Sequence, residues 1–126
     1  MIVPRLDCDL LELLCAVVEG RLADAEIRWK PQAAVCVVMA AKGYPGAYDI
    51  GKVIQGLDGA AALPDVSVFH AGTKMMEHLT LTAGGRVLGV TGLGTSIAAA
   101  RTRVYEAVGQ IHFDGAHFRR DIGAGK

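Results

Sequence analysis

The stretch "TAGGRVLGV" (residues 82–90) carries the side chain with the clearest capacity for ligand binding. Arg86 directly follows Gly84 and Gly85 and precedes an apolar run. A guanidinium is always charged, and its planar fork matches a phosphate or a carboxylate. Two glycines in front of it let a ligand or another backbone come close. The pattern leaves two interpretations open: an anion contact, or a strand-edge arginine in a surface ion pair.

A second stretch, "FHAGTK" (69–74), places a histidine at the end of an apolar alternation. His70 is followed by the turn residues Gly72 and Thr73, and strand ends are places where binding residues concentrate. The histidines do not have the spacing typical of zinc ligands, so we predict no metal site. The four considered are His70, His78, His112 and His117.

Two further motifs suggest chemistry and are less specific. "TGLGTSIAAA" (91–100) resembles a phosphate loop before a helix, but Ile97 stands where the dinucleotide fingerprint needs Gly or Ala. We predict a plain strand-to-helix turn there. Lys74 is expected at a hairpin tip, where a swinging-arm carrier would hold biotin or lipoate. Lys74 has methionines on one side only, so a carrier lysine is a weaker interpretation of this stretch than an ordinary surface residue.

Composition limits the class of protein. The 126 residues, 52% of them apolar, fit one domain, and the formal net charge of zero argues against a nucleic-acid or membrane-surface role. No stretch reaches the ~18 apolar residues of a membrane span. We predict that Cys8, Cys15 and Cys36 are small buried hydrophobes in a reducing compartment. Together these features predict a cytoplasmic protein.

The elements that must position these residues follow an α+β pattern. Apolar residues at helical spacing predict a helix over 7–20, with Asp7 or Asp9 as N-cap and Gly20 as its stop. A second helix is predicted over 95–111, capped by Thr95 or Ser96.

Strands are predicted between the two helices. Residues 33–41 read as a strand buried on both faces, followed by a turn at "KGYPG". Shorter strands are predicted at 52–57, 66–70, 78–82 and 86–90, with a loop at 58–65 and a hairpin turn at 71–77. No βαβ rhythm is present, so we expect a small mixed or mostly antiparallel sheet with the C-terminal helix packed on it.

Five stretches occur together in an order that resembles a known family. They are "PRLDCDLLELL", "VCVVMAAKGYPGAYDIGKVIQGL", "VFHAGTK", "TAGGRVLGV" and "ARTRVYEAVGQIHFDGAHFRRDIG". Their order and spacing are similar to the C-terminal part of phosphoribosylamine–glycine ligases, also called glycinamide ribonucleotide synthetases. The resemblance covers nearly the whole chain, and Ile50 stands where that family usually has a lysine.

The resemblance implies an ATP-grasp ligase of purine synthesis. Such an enzyme joins glycine to 5-phosphoribosylamine through a glycyl phosphate, hydrolysing ATP to ADP and phosphate. Residues 1–30 would be the tail of the ATP-grasp domain, and 31–126 its C-terminal cap domain. The phosphate loop and the acidic magnesium ligands of the family are absent from this sequence. We therefore expect no ATP, no magnesium and no catalytic residue in this chain, which is expected to be inactive alone.

The resemblance also implies which residues line the substrate cleft. Arg86 would contact a phosphate or a carboxylate, and the glycines would let the ligand come close. The ten residues expected to bind substrate are Gly43, Tyr44, Pro45, His70, Ala71, Gly72, Thr73, Gly84, Gly85 and Arg86.

A non-enzymatic interaction module is the main alternative to a cleft wall. As a split subunit, the chain would dock onto N-terminal domains encoded separately. The apolar face of the helix containing Leu10–Val18 would then be exposed in isolation, and self-association would be expected.

Overall fold

The computed structural model describes residues 2–125, which form an α+β fold. Met1 and Lys126, the outer ends of the predicted segments 1–30 and 31–126, lie outside the described residues. The helices are α1 (Leu10–Val18), α2 (Leu57–Ala62) and α3 (Ile97–Gln110), and short 3-10 turns span Val3–Arg5 and Leu22–Asp24. The strands are β1 (Ala33–Ala40), β2 (Val66–His70), β3 (Thr73–Met76), β4 (Leu79–Thr82) and β5 (Arg86–Gly94). The predicted fold class is confirmed.

The strands form two small antiparallel sheets. The larger has the order β1–β5–β2, and the second is the β3–β4 hairpin. The central strand β5 aligns Val90 with Val37 of β1 on one side and with Val68 of β2 on the other. Opposed residues of antiparallel strands share one face, so these three valines belong to the same face of the sheet.

Helix α3 packs on that face and closes the core. Val104 and Val108 of α3 are buried in the same cluster as Val37, Met39 and Val90. Apolar burial of this kind is the main favourable term in folding. The predicted C-terminal helix on a sheet is therefore confirmed.

Strand β1 is buried on one face only, which corrects the prediction of a strand buried on both. Val35, Val37 and Met39 are at most 4% exposed, whereas Val38 on the opposite face is 45% exposed. Since α3 covers a single face of the three-stranded sheet, alternate residues of β1 remain accessible.

Both long helices begin at caps that the sequence indicated. The Asp9 carboxylate accepts hydrogen bonds from the backbone N–H groups of Leu11 (2.7 Å) and Glu12 (3.3 Å). The Ser96 hydroxyl accepts one from Ala99 at 3.1 Å. Asp9 and Ser96, rather than Asp7 and Thr95, thus satisfy the free donors of the first turn.

Four stretches differ from the predicted elements, and one of them is the predicted hairpin turn 71–77, which contains β3. Residues 52–57 make only isolated bridges rather than a strand, at Val53 and Gln55. Most of α2 lies within the predicted loop 58–65. The helix is stabilised there because Ala60 is fully buried and α2 packs on α3 and β2. Residues 91–94, predicted as a turn, extend β5 because they pair with 33–36 of β1. Tertiary pairing here overrides the loop preference of glycine.

The cysteines are free thiols and are not buried, which corrects that part of the prediction. Cys15 is exposed, and Cys8 and Cys36 are half-buried. No helix within residues 2–125 has the length and apolar character needed to cross a membrane.

Candidate functional site

Three of the predicted binding segments converge on one pocket, here called the Arg86 pocket. It has a volume of about 570 Å³ and opens beside the start of β5. Its lining contains five of the ten predicted residues, together with four that the sequence did not indicate. The predicted ones are Tyr44, Ala71, Gly72, Gly85 and Arg86; the others are Val38, Tyr48, Leu88 and Gly89.

Backbone hydrogen bonds fix the β2–β3 connection against β5. The N–H of Ala71 donates to the Val87 carbonyl at 3.0 Å, and that of Gly72 donates to the Arg86 carbonyl at 2.9 Å. The Gly72 carbonyl in turn accepts from Ala83 at 2.7 Å. The pocket wall is therefore held by paired backbone and does not depend on side-chain packing alone.

The glycines around the pocket are in contact with other parts of the same chain. A Cβ placed on Gly72 would stand 2.8 Å from the Cα of Gly84 and 2.6 Å from the Arg86 carbonyl oxygen. A Cβ on Gly85 would overlap the Tyr44 ring and lie 3.0 Å from Cε1 of Tyr48. At both positions the absence of a side chain lets another part of the protein come close.

Arg86 is an exposed residue that lines the pocket. Within the described part of the chain, its guanidinium makes no salt bridge and no side-chain hydrogen bond. The pocket lining contains no aspartate and no glutamate. Within residues 2–125 the surface ion pair is thus not formed, and the pocket offers the Arg86 guanidinium to an anionic group.

His70 and Thr73 face a different groove. Nδ1 of His70 lies 3.0 Å from Oγ1 of Thr73. Both residues line a groove of about 510 Å³ between α2 and the β3–β4 hairpin, with Asp58 and Thr80 among its other residues. The stretch "HAGT" is thus divided, since Ala71 and Gly72 line the Arg86 pocket instead.

The remaining predicted residues flank the pocket. Gly43 and Pro45 lie on either side of Tyr44 in the exposed loop after β1, and the Tyr44–Pro45 peptide bond is cis. Gly84 lies behind the pocket wall against Gly72. Tyr48, which the sequence analysis missed, could have been found as a second aromatic residue four positions after Tyr44.

Lys74 lies within a strand, not at a hairpin tip. It pairs with Leu81 in the middle of the β3–β4 hairpin, and the connection falls at Glu77 and His78. The geometric basis for a carrier lysine is therefore wrong. Among residues 2–125, no three His, Cys, Asp or Glu side chains lie together so as to hold a metal ion.

Comparison with known proteins gives a consistent set of relatives. Residues 34–125 match the family "Phosphoribosylglycinamide synthetase, C domain". The chain is 50% identical over 123 residues to the phosphoribosylamine–glycine ligase of Synechocystis, covering 97% of this chain and 29% of the relative. The Rhodopirellula baltica enzyme of the same name is 45% identical over 119 residues, covering 94% and 27%.

A solved structure shares the fold. The crystal structure of phosphoribosylamine–glycine ligase from Thermotoga maritima superposes with a TM-score of 0.68 at 34% identity. The match covers 86% of this chain and 27% of that one. The chain thus spans little more than a quarter of the length of these relatives.

Proposed function

The chain belongs to the phosphoribosylglycinamide synthetase C-domain family, and from this premise we propose that it forms one wall of the substrate cleft of a phosphoribosylamine–glycine ligase. In the proposed reaction, glycine and 5-phosphoribosylamine are joined during purine synthesis while ATP is hydrolysed to ADP and phosphate. One observation carries the proposal: the segments 44–48, 71–72 and 85–89 line one pocket together with Arg86, whose guanidinium has no salt bridge within residues 2–125.

Arg86 has the chemistry that either substrate requires. 5-Phosphoribosylamine carries a phosphate and glycine carries a carboxylate, and a guanidinium forms charge-assisted hydrogen bonds with both. Because the pocket lining is otherwise free of charged side chains, the bound anion would meet no nearby repulsion. We propose that Arg86 holds the substrate anion while the reacting groups meet in the rest of the cleft.

The ATP and magnesium of the reaction do not fit the Arg86 pocket. Magnesium prefers carboxylate and phosphate oxygens in octahedral geometry, and the pocket lining supplies no carboxylate. We propose that an ATP-grasp region outside this chain binds them. Residues 2–30, which precede the family match at 34, would belong to that neighbouring region. The chain alone would then be inactive.

A chimaera tests this proposal. The chain replaces the matching C-terminal segment of the Synechocystis ligase, and turnover of glycine and 5-phosphoribosylamine is measured with ATP and magnesium. We expect an active chimaera whose kcat/KM falls about 100-fold or more with Arg86→Ala. Arg103→Ala is the control, because Arg103 pairs with Glu106 on the surface of α3. Unchanged kcat/KM in the Arg86 variant, or turnover by the isolated chain, would contradict the proposal.

A docking module is the second candidate, and the surface of α1 favours it. Leu11 is 68% exposed, Leu14 53% and Val18 88%. Their spacing puts them on one helical stripe, which is usually buried against another element. We expect the chain to self-associate through this stripe, and Leu14→Glu to make it monomeric in light-scattering measurements. Ile97→Glu, at an apolar position of α3 that is 59% exposed, should leave association unchanged. A monomeric wild-type chain would remove this candidate.

A cytoplasmic location is part of the proposal. All three cysteines are free thiols, and free thiols persist in reducing compartments.

A further inference from the structure

We propose that Tyr44 and Tyr48 form a subsite for the pentose ring of a phosphorylated sugar whose phosphate is held by Arg86. This inference rests on the proposed function and names the substrate that the Arg86 pocket takes. It assigns to the pocket the phosphoribosyl substrate rather than glycine. It also gives a binding role to Tyr48, which the sequence did not indicate.

The two tyrosines are held next to Arg86 by Gly85. Their ring centroids are 6.4 Å apart with an interplanar angle of 57°. Both rings contact the position that a Gly85 side chain would otherwise fill. Since Gly85 directly precedes Arg86 in β5, the aromatic pair and the guanidinium share one backbone support. In the proposed complex, a ligand bound to the cation extends beside the tyrosine rings.

The phenol groups are available to a ligand. Tyr44 is 37% exposed and Tyr48 44% exposed. Neither hydroxyl has a hydrogen-bond partner within residues 2–125, in contrast to Tyr105, whose hydroxyl makes two hydrogen bonds. A phenol that is not used by the protein can donate to or accept from a sugar hydroxyl. The ring beside it offers an apolar face to the C–H groups of the sugar.

The opposite side of the pocket is apolar and lacks bulk. Val38, which is 45% exposed, contributes an aliphatic side chain, and Gly89, its partner on β5, leaves the strand surface next to it without one. The pocket thus presents a cation, an aromatic wall with two hydroxyls and an apolar strand surface. A phosphorylated pentose has matching parts: a phosphate, several hydroxyls and a ring with C–H faces. Glycine, which is much smaller, would use the cation and leave the aromatic wall empty.

Binding to the purified chain tests the subsite without any need for turnover. Ribose 5-phosphate, inorganic phosphate and AMP are titrated separately, and the backbone amide resonances of residues 84–89 are followed by NMR. We expect ribose 5-phosphate to bind about tenfold more tightly than inorganic phosphate. Tyr48→Leu and Tyr44→Leu should each reduce this advantage and leave the affinity for inorganic phosphate unchanged. Arg86→Gln should weaken both ligands.

One further variant separates the contribution of the tyrosine ring from that of its hydroxyl, and another serves as a control. Tyr48→Phe keeps the ring and removes the hydroxyl, so an intermediate affinity for ribose 5-phosphate is expected. Trp29→Leu changes a half-exposed aromatic residue outside the pocket and should have no effect. Equal affinities for ribose 5-phosphate and inorganic phosphate, leucine variants that bind like the wild type, or tighter binding of AMP would each overturn the subsite. An active chimaera combined with any of these results would leave the proposed function standing and remove the subsite alone.

Discussion

The backbones of Gly72 and Gly84 lie in direct contact, which joins the β2–β3 connection to the start of β5. A Cβ on Gly72 would stand 2.8 Å from the Cα of Gly84, whereas a Cβ on Gly84 would stand 3.1 Å from the Cα of Gly72. Neither glycine has a positive φ, so the requirement for glycine is steric. The contact brings Gly72 to the side of Arg86.

Gly72→Ala is expected to destabilise the protein and to distort the Arg86 pocket. The added methyl group would meet the Arg86 carbonyl oxygen at 2.6 Å as well as the Gly84 backbone, and overpacking against backbone costs about 1–3 kcal/mol. Urea unfolding measures this loss in the free energy of unfolding. Gly84→Ala should cost less, because after the contact at 3.1 Å its next neighbour is 3.9 Å away. The reverse order of the two losses would contradict the steric explanation.

Gly92 must also be a glycine for a steric reason, because α3 packs directly on its backbone. A Cβ there would lie 2.7 Å from the Val104 nitrogen and 2.8 Å from the Ala100 carbonyl oxygen. We therefore expect Gly92→Ala to push α3 off the sheet and to lower the free energy of unfolding by about 1–3 kcal/mol. Gly89→Ala is the matched control in the same strand, since its nearest neighbour would be Cys36 Sγ at 3.7 Å. Equal thermal midpoints for the two variants would argue against direct helix-on-backbone packing.

The regular elements could be predicted wherever local chemistry and tertiary packing agree. Asp9 and Ser96 are good N-caps, and residues 66–70, whose types alternate in sequence, form β2. Helix α2 could not be predicted, because its six residues include Gly59 and it is stabilised by burying Ala60. Gly92 and Gly94 suggested a turn, yet they are the residues that let α3 approach β5. Local sequence alone does not distinguish these uses of glycine.

The lining of the Arg86 pocket could be predicted only in part, because the fold brings some of its residues together from distant parts of the sequence. Arg86 and Gly85 were indicated by their types, because a charged fork after two glycines suggests binding wherever it lies. The division of "HAGT" depends on how the backbone turns between the end of β2 at His70 and the start of β3 at Thr73. His70 and Ala71 consequently reach different pockets. Tyr48 enters the site through its contact with Gly85, which is distant in sequence.

Tyr105→Phe is expected to loosen the C-terminal tail. The Tyr105 hydroxyl donates to the Arg119 carbonyl at 2.8 Å and accepts from the Ile122 N–H at 3.1 Å. Losing both bonds while keeping the ring should lower the free energy of unfolding by about 1–3 kcal/mol. Hydrogen exchange of the Ile122 amide should become faster. Tyr48→Phe, which removes a hydroxyl without a protein partner in the described structure, should leave stability unchanged. Unaltered exchange at Ile122 in the Tyr105 variant would contradict this role.

The ion pair between Arg119 and Asp121 makes the stability of the C-terminal tail weakly dependent on pH. The hydrogen bond from the Arg119 guanidinium lowers the pKa of the Asp121 carboxyl below its ordinary value, and the same bond raises the pKa of Arg119. A carboxyl whose pKa is lower in the folded state stabilises the fold above the unfolded pKa of about 3.9. That contribution is lost as the pH falls through the lowered folded pKa. Both side chains are well exposed, so the effect should be small and weakened by salt.

A carboxyl-carbon NMR titration of Asp121 measures this dependence. In Arg119→Gln the midpoint should rise toward the ordinary aspartate pKa, because the hydrogen bond to the charged form is lost. Arg28→Gln, which removes the partner of Glu26 instead, should leave the Asp121 midpoint where it is. Raising the salt to about 0.5 M should narrow the difference between wild type and Arg119→Gln. If the Asp121 midpoint is the same with and without the Arg119 guanidinium, the pair does not form in solution and the tail is held by Tyr105 without it.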